Sequence, residues 1–262
     1  LKRSRRRRFG QNFLVDRTVA RRIVELLDPE NPRVLEIGPG RGALTGPLLD
    51  RFRSVRALEL DQALVAPLRK RFEDRGLEVV HADALTVPLG TFVDDSGAWQ
   101  VASNLPYSVG TAILRRLMPR HEIFTRLVVM LQREVADRLV ALPGDRQHGL
   151  MALERAAWAD ARLAFSVPPK AFRPVPKVAS AVLVVDLRPP AFDARDLGGA
   201  LELAGRALTR PRKMLANAIG GETTVEHIEA SGLDPRMRPG ELELRDWVCL
   251  ASRFGGRRKS DR

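Results

Sequence analysis

Val34-Leu35-Glu36-Ile37-Gly38-Pro39-Gly40-Arg41-Gly42-Ala43 decides how this chain folds. A short run of buried-strand character ends in three glycines at alternate positions and opens into a helix-like stretch, 43–52. Glycines at that place let the backbone turn tightly and come close to a ligand. Working outward, the same unit recurs. Residues 54–58, 77–80, 100–103 and 127–131 read as strands. Residues 62–72, 111–117 and 134–141 read as helices, with Pro67 a local defect. Upstream, Asp16 is placed to cap a helix over 17–27, whose Val19, Ile23, Leu26 and Leu27 share one face. Strand–helix alternation of this kind predicts an α/β fold: a parallel sheet with helices on both faces.

After Gly144 the texture changes. Residues 150–159 read as a helix. Residues 161–167 and 180–187 read as strands joined by a proline-rich loop, an antiparallel pair closing the sheet edge. Arg188-Pro189-Pro190 is a natural linker. Beyond it, 197–207, 213–219, 225–231 and 245–254 read as helices with no strand among them. The expected organisation is a basic arm at 1–8, an α/β domain at 9–190, a small helical domain at 191–255 and a basic tail at 256–262.

The formal net charge is +12 over 262 residues, with a pI near 11.0. That balance favours a polyanionic partner, most simply nucleic acid. Arg5, Arg6, Arg7 and Arg8 in the opening run are candidates for phosphate contact, as are Arg206, Arg210, Arg212 and Lys213 further on. A solvated tail or helix face is the plainer alternative for each group. Cys249 is the only cysteine, which rules out an intrachain disulfide and a cysteine-cluster zinc site and fits a reducing, cytoplasmic setting. The four histidines lack ligand spacing, so no metal is expected. No apolar run reaches transmembrane length, so no membrane partner is expected.

The candidate ligand site lies where strands end. Glu59 closes the second strand about 20 residues beyond the glycines, the place where a carboxylate grips ribose hydroxyls. This pair alone leaves NAD and S-adenosylmethionine both open. Glu36 suits a cation, such as a sulfonium with its amino group, and would be a poor neighbour for a pyrophosphate. Asp83, after the third strand, can accept from an adenine amine, although a turn or cap residue is the simpler reading. Asn104-Leu105-Pro106-Tyr107 follows the fourth strand and contains the only tyrosine. A carboxamide beside an aromatic ring can hold a second flat heterocycle.

Taken in order, several stretches resemble the rRNA adenine N6-dimethyltransferases. They are Arg8-Phe9-Gly10-Gln11-Asn12-Phe13-Leu14, the Glu36-to-Gly42 loop, Glu59-Leu60-Asp61, Asp83-Ala84, Asn104 to Tyr107, Met130 to Val135, and Val167-Pro168-Pro169-Lys170-Ala171-Phe172-Arg173-Pro174-Val175-Pro176-Lys177-Val178. Arg210 to Ala218 and Gly232 to Leu242 look more like the small-subunit housekeeping branch (KsgA/RsmA) than the macrolide-resistance branch (Erm). Departures from the family pattern that the resemblance implies are Ser103 for a Gly, His148 for a Tyr, Ala179 for an Asp and Arg212 in place of part of a longer basic run. The resemblance implies a Rossmann-like class I methyltransferase sheet carrying a small C-terminal helical domain. It implies S-adenosyl-L-methionine bound by Asn12, Leu14, Gly38, Glu59, Asp83 and Asn104. It also implies dimethylation of two adjacent adenosines in the 3′-terminal hairpin loop of 16S rRNA, within the immature small subunit, by a protein expected to be monomeric.

The chemistry needs positioning more than acid–base work, because an adenine N6 lone pair is delocalised into its ring. The expected catalytic set is Asn104, Leu105, Pro106, Tyr107 and Phe172. The Asn104 oxygen and a backbone carbonyl of Leu105 or Pro106 would accept the N6 hydrogens. Tyr107 would stack on one face of the base and Phe172 on the other. The competing readings are an Erm-type enzyme acting on 23S rRNA, a non-catalytic RNA-binding assembly factor on the same fold, and an NAD-dependent dehydrogenase.

Overall fold

Leu35, Val101 and Leu127 through Met130 are almost wholly shielded from solvent, and so are their neighbours on the flanking strands. Strands this apolar on both faces belong in the middle of a covered parallel sheet. The computed structural model of the protein describes residues 12–93, 98–221 and 224–255. The arm containing Arg5, Arg6, Arg7 and Arg8, and the tail 256–262, lie outside the described residues.

In chain order the first unit contains β1 (Phe13–Leu14), α1 (Arg17–Glu25), β2 (Arg33–Ile37), α2 (Thr45–Arg51), β3 (Ser54–Glu59), α3 (Gln62–Arg71), β4 (Glu78–His81), β5 (Trp99–Asn104), α4 (Gly110–Leu117) and β6 (Phe124–Gln132). After α5 (Arg133–Val140) and α6 (Leu150–Trp158), the sheet resumes with β7 (Ala159–Val167), β8 (Phe172–Arg173) and β9 (Ser180–Leu187). The seven-stranded sheet has the order β4-β3-β2-β5-β6-β9-β7. β4 through β6 are mutually parallel, and β9 runs antiparallel to β6. The order reverses at β2: the chain leaves it toward β3 on one side and returns beside it as β5 on the other. Open α/β sheets bind ligands at such a switch point, outside the carboxyl ends of the strands.

Local signals explain the element ends. The Asp16 side chain accepts from the amides of Thr18 and Val19, capping α1, an arrangement whose loss costs roughly 1 kcal/mol. Ile23 and Val24 of that helix pack into the core under the sheet. Asp61 caps α3 in the same way through Ala63, and α3 runs through Pro67 to Arg71. Ser103 donates to the Ile37 carbonyl at 2.5 Å. It thereby joins the ends of β5 and β2.

Among the described residues, the second compact unit comprises Asp137–Ala159, 189–221 and 224–255. Its helices are α6, α7 (Ala194–Ala207), α8 (Leu215–Ile219), α9 (Thr224–Ala230) and α10 (Leu244–Gly255). Leu153 and Ala157 of α6 belong to the same buried cluster as Leu203, Leu215, Ile228 and Trp247. Residues 137–159, expected from the sequence within the α/β domain, pack with the helices instead. His148 in this unit bonds to the Gly240 carbonyl at 2.9 Å.

Candidate active site

The carboxyl ends of β2, β3 and β5 and the turn after β4 enclose a cavity of about 330 Å³, within the range of small-molecule sites. Asn12, Leu14, Gly38, Glu59, Asp83, Asn104, Leu105, Pro106 and Tyr107, all expected from the sequence, are on its wall.

Its floor is acidic. Glu36 is 1 % exposed and takes one strong bond, from the Thr45 hydroxyl at 2.7 Å. Burial pushes its carboxyl up to about 8; the Thr45 bond opposes this and the Glu59 charge adds to it. Glu59 is 2 % exposed. Its two oxygens accept from the Gly40 amide at 2.9 Å and the Asp61 amide at 2.8 Å. Burial raises its pKa as well, against the pull of those amides. The glycine loop thus does two jobs: it turns into the helix and locks the Glu59 carboxylate. Gly38 has φ +68, and a Cβ added there would meet nothing within 4 Å. That opening beside two buried carboxylates fits a ligand with a cationic group and free ribose hydroxyls.

Asp83 is a turn residue and a wall residue together. Its Oδ1 accepts from the Leu85 amide at 2.8 Å, which leaves the other oxygen for a ligand. Leu60 and Leu85, which sequence reading passed over, also line the cavity, and Leu60 is 45 % exposed. Apolar side chains on the same wall as Asp83 suit a flat base whose edge amine donates to the carboxylate. The only hint in the sequence was adjacency to Glu59 and Asp83. Arg116 was missed for a different reason. Its guanidinium, reaching from α4, bonds the carbonyls of Ala84 at 2.6 Å and Val87 at 2.9 Å, bracing the Asp83 turn.

The remaining edge is Asn104 to Tyr107. The Asn104 Nδ2 donates to the Asn12 carbonyl at 3.2 Å, which fixes the amide and leaves its oxygen to accept. Pro106 already accepts from the amides of Val109 and Gly110. The Leu105 carbonyl has no partner among the described residues. Of the two carbonyls considered from the sequence, the structure therefore leaves Leu105 as the available acceptor. Tyr107 is half-buried, its hydroxyl 2.6 Å from the Ser180 hydroxyl; burial raises the phenol pKa and the Ser180 bond opposes that.

Phe172 does not join this edge. It is 0 % exposed, paired as β8 with Leu14 of β1 and packed into the core with Val19 and Ile23. The expectation that it closes on a base is corrected here: the flanking prolines place a short strand, and the strand turns the ring inward. Arg206, Arg210, Arg212 and Lys213 are all exposed at the end of α7 and in the turn after it.

Residues 2–254 match the family described as ribosomal RNA adenine dimethylase. The chain belongs to that family. The ribosomal RNA small subunit methyltransferase A of Geobacter metallireducens is 38 % identical over 258 residues, 94 % of each chain. Among solved structures, a dimethyladenosine transferase from Plasmodium falciparum superposes with a TM-score of 0.75 over 93 % of this chain and 97 % of that one, at 20 % identity. The 23S rRNA methyltransferase ErmE gives 0.68 over 93 % of this chain and all of that one, at 26 % identity. This member of the dimethylase family is an α/β methyltransferase, closer in sequence to the small-subunit relative than to ErmE. Among the described residues, no helix is long and apolar enough to cross a membrane.

Proposed function

We propose that the protein transfers methyl groups from S-adenosyl-L-methionine to N6 of two adjacent adenosines in the 3′-terminal hairpin loop of 16S rRNA, late in small-subunit assembly. One observation carries this reading: Asn104 and Tyr107 line the same cavity as Glu59, Asp83 and the Gly38–Gly40 turn, which leaves room for a second flat heterocycle beside the cofactor. The small-subunit name of the relative above favours 16S over 23S rRNA.

The cofactor supplies an electrophilic methyl group and needs no metal to do so. Glu59 takes the ribose hydroxyls, Asp83 the adenine amine, and Glu36 lies at the cationic end. Asn12, Leu14 and Gly38 complete the binding wall. The target adenosine leaves its stack at a cost of about a few kcal/mol, less in a loop than in a duplex. Stacking on Tyr107 returns roughly 1–3 kcal/mol. The Asn104 oxygen and the Leu105 carbonyl accept the N6 hydrogens and draw the lone pair out of conjugation. The extra proton passes to solvent after transfer, so no dedicated base is required.

Arg5 to Arg8 of the basic arm and the exposed cluster Arg206, Arg210, Arg212 and Lys213 grip rRNA phosphates, and the helical unit serves as an RNA-binding domain. The working protein is a cytoplasmic monomer. The test is transfer of labelled methyl to immature small subunits, followed by primer extension on both rRNAs. Stops at adjacent adenosines near the 16S 3′ end are expected. Label confined to 23S rRNA, or absent from both, overturns the reading.

A further inference from the structure

We propose that Ser180 is a positioning residue for the methyl transfer: its hydroxyl tethers the Tyr107 phenol and so fixes the plane on which the target adenine stacks. The proposal rests on the dimethyltransferase reading of the cavity.

Ser180 opens β9, where it is the odd residue. The five that follow, Ala181 to Val185, are aliphatic and fully buried. Ser180 is equally buried, at 0 % exposure, yet it carries a hydroxyl. A buried hydroxyl is kept only where it finds a partner, and the partner here is Tyr107 at 2.6 Å. The two residues come from opposite sides of β6. Ser180 pairs with Gln132 of that strand, and Asn104 pairs with Met130. Leu105 adds a bond from its amide to the Met130 carbonyl at 3.1 Å. Tyr107 thus reaches past the end of β6 to the next strand.

Both ends of the Tyr107 side chain are then fixed. At its root, the Pro106 carbonyl accepts from the amides of Val109 and Gly110, closing the turn into α4. Gly110 packs so tightly that a Cβ there would meet Leu131 at 2.6 Å. At its tip, the ring is tied to a sheet residue that cannot move independently of the ladder. A ring tethered at one end can tilt; a ring tethered at both presents one face in one plane. Asn104 sets the edge of the target base, and this face sets its plane. In-line transfer needs both, and a misplacement of about 1 Å can cost on the order of a hundredfold in rate.

Tyr107 is the sole tyrosine of the chain, so tyrosinate absorbance reports on it alone. The tether can therefore be read without substrate. Ser180 favours the phenolate, so removing its hydroxyl moves the titration midpoint upward. Ser180→Ala and Ser180→Val are expected to raise that midpoint. Ser180→Thr, which matches Val in volume and keeps the hydroxyl, is expected to stay near the parent protein. In single turnovers with saturating cofactor and small subunits, Ala and Val should lower the rate about tenfold, the scale of one lost hydrogen bond. Cofactor and RNA affinities should hold. In a Tyr107→Phe background, Ser180→Ala should cause no further loss. An unmoved midpoint overturns the tether. A moved midpoint with an unchanged rate, or full additivity with Tyr107→Phe, overturns the positioning role. Failure of the unsubstituted protein to methylate any rRNA sinks the enzyme reading instead, and the titration keeps the two failures apart.

Discussion

The floor and the edge of the cavity are built on opposite plans. On the floor, each oxygen of Glu59 already accepts from one backbone amide, Glu36 holds the Thr45 hydroxyl, and both residues are nearly inaccessible. On the edge, each acceptor is half committed. Asn104 donates one amide hydrogen to Asn12 and keeps its oxygen, and Leu105 keeps its carbonyl. A floor of that kind has its carboxyl groups held in place before the ligand arrives. An edge of that kind holds acceptors in reserve for a group whose hydrogens must be pulled aside during reaction. Binding and chemistry are therefore separable here by substitution.

The strongest way to break the contrast is Asn104→Ala. Losing one preorganised polar partner of a reacting group lowers kcat by about 10²–10³-fold. Cofactor affinity, measured by calorimetry, should change far less, and RNA binding should persist. Full activity would remove Asn104 from the chemistry. Glu59→Ala comes next and should behave in reverse. Hydrogen bonds to charged groups contribute roughly 1.5–3 kcal/mol, so cofactor binding should weaken by about 10–100-fold while kcat at saturation stays within a fewfold. A collapse of kcat with unchanged affinity would mean that floor and edge are not separate.

How much of this was readable beforehand differs between the same two regions. The floor was legible because its signals are local. Gly38, Gly40 and Gly42 lie in one loop, and Glu59 ends the next strand at a fixed spacing. The sheet was legible too, since buried aliphatic runs alternated with amphipathic ones. What the chain hid were contacts between distant residues. Tyr107 and Ser180 are 73 positions apart, and Arg116 meets Ala84 across 32; no periodicity encodes either pair. Phe172 misled for a related reason. Its proline-rich setting suggests a loop aromatic at a binding site, but pairing with Phe13-Leu14 turns it inward. Residues 150–158 had the pattern of any half-buried helix, and only packing shows which core they join.

A finer test probes the floor by pH. Glu36 is raised from 4.5 to about 8, chiefly by burial. Below about pH 8 the carboxyl is therefore mostly protonated, and a cation binding beside it must displace that proton. Affinity for the cofactor should rise with pH below about 8, by at most about tenfold per pH unit, and level off above it. Glu36→Gln should remove this slope, and the difference between the two proteins isolates Glu36 from any titration of the ligand itself. The ligand-free protein gives the opposite sign. A raised acid contributes stability that is complete below 4.5 and lost as pH climbs through about 8. The parent should lose up to about 1.4 kcal/mol per pH unit relative to Glu36→Gln in that window. Parallel melting curves for the two would refute the assignment.

The smallest effect belongs to Thr45, and it discriminates most closely between burial and hydrogen bonding as the control on the floor. Thr45 is fully buried and donates to Glu36, which favours the carboxylate. Thr45→Val keeps the volume and removes the donor. The Glu36 carboxyl then has burial and the Glu59 charge acting on it with nothing opposing them, so its pKa climbs further. Cofactor affinity near neutral pH should fall by about threefold to tenfold, the scale of one net hydrogen bond, and the pH at which affinity levels off should move up. The rate at saturation should not change, because Thr45 touches no reacting group. An unchanged levelling-off pH would mean that the hydroxyl serves packing alone and that the floor is set by burial.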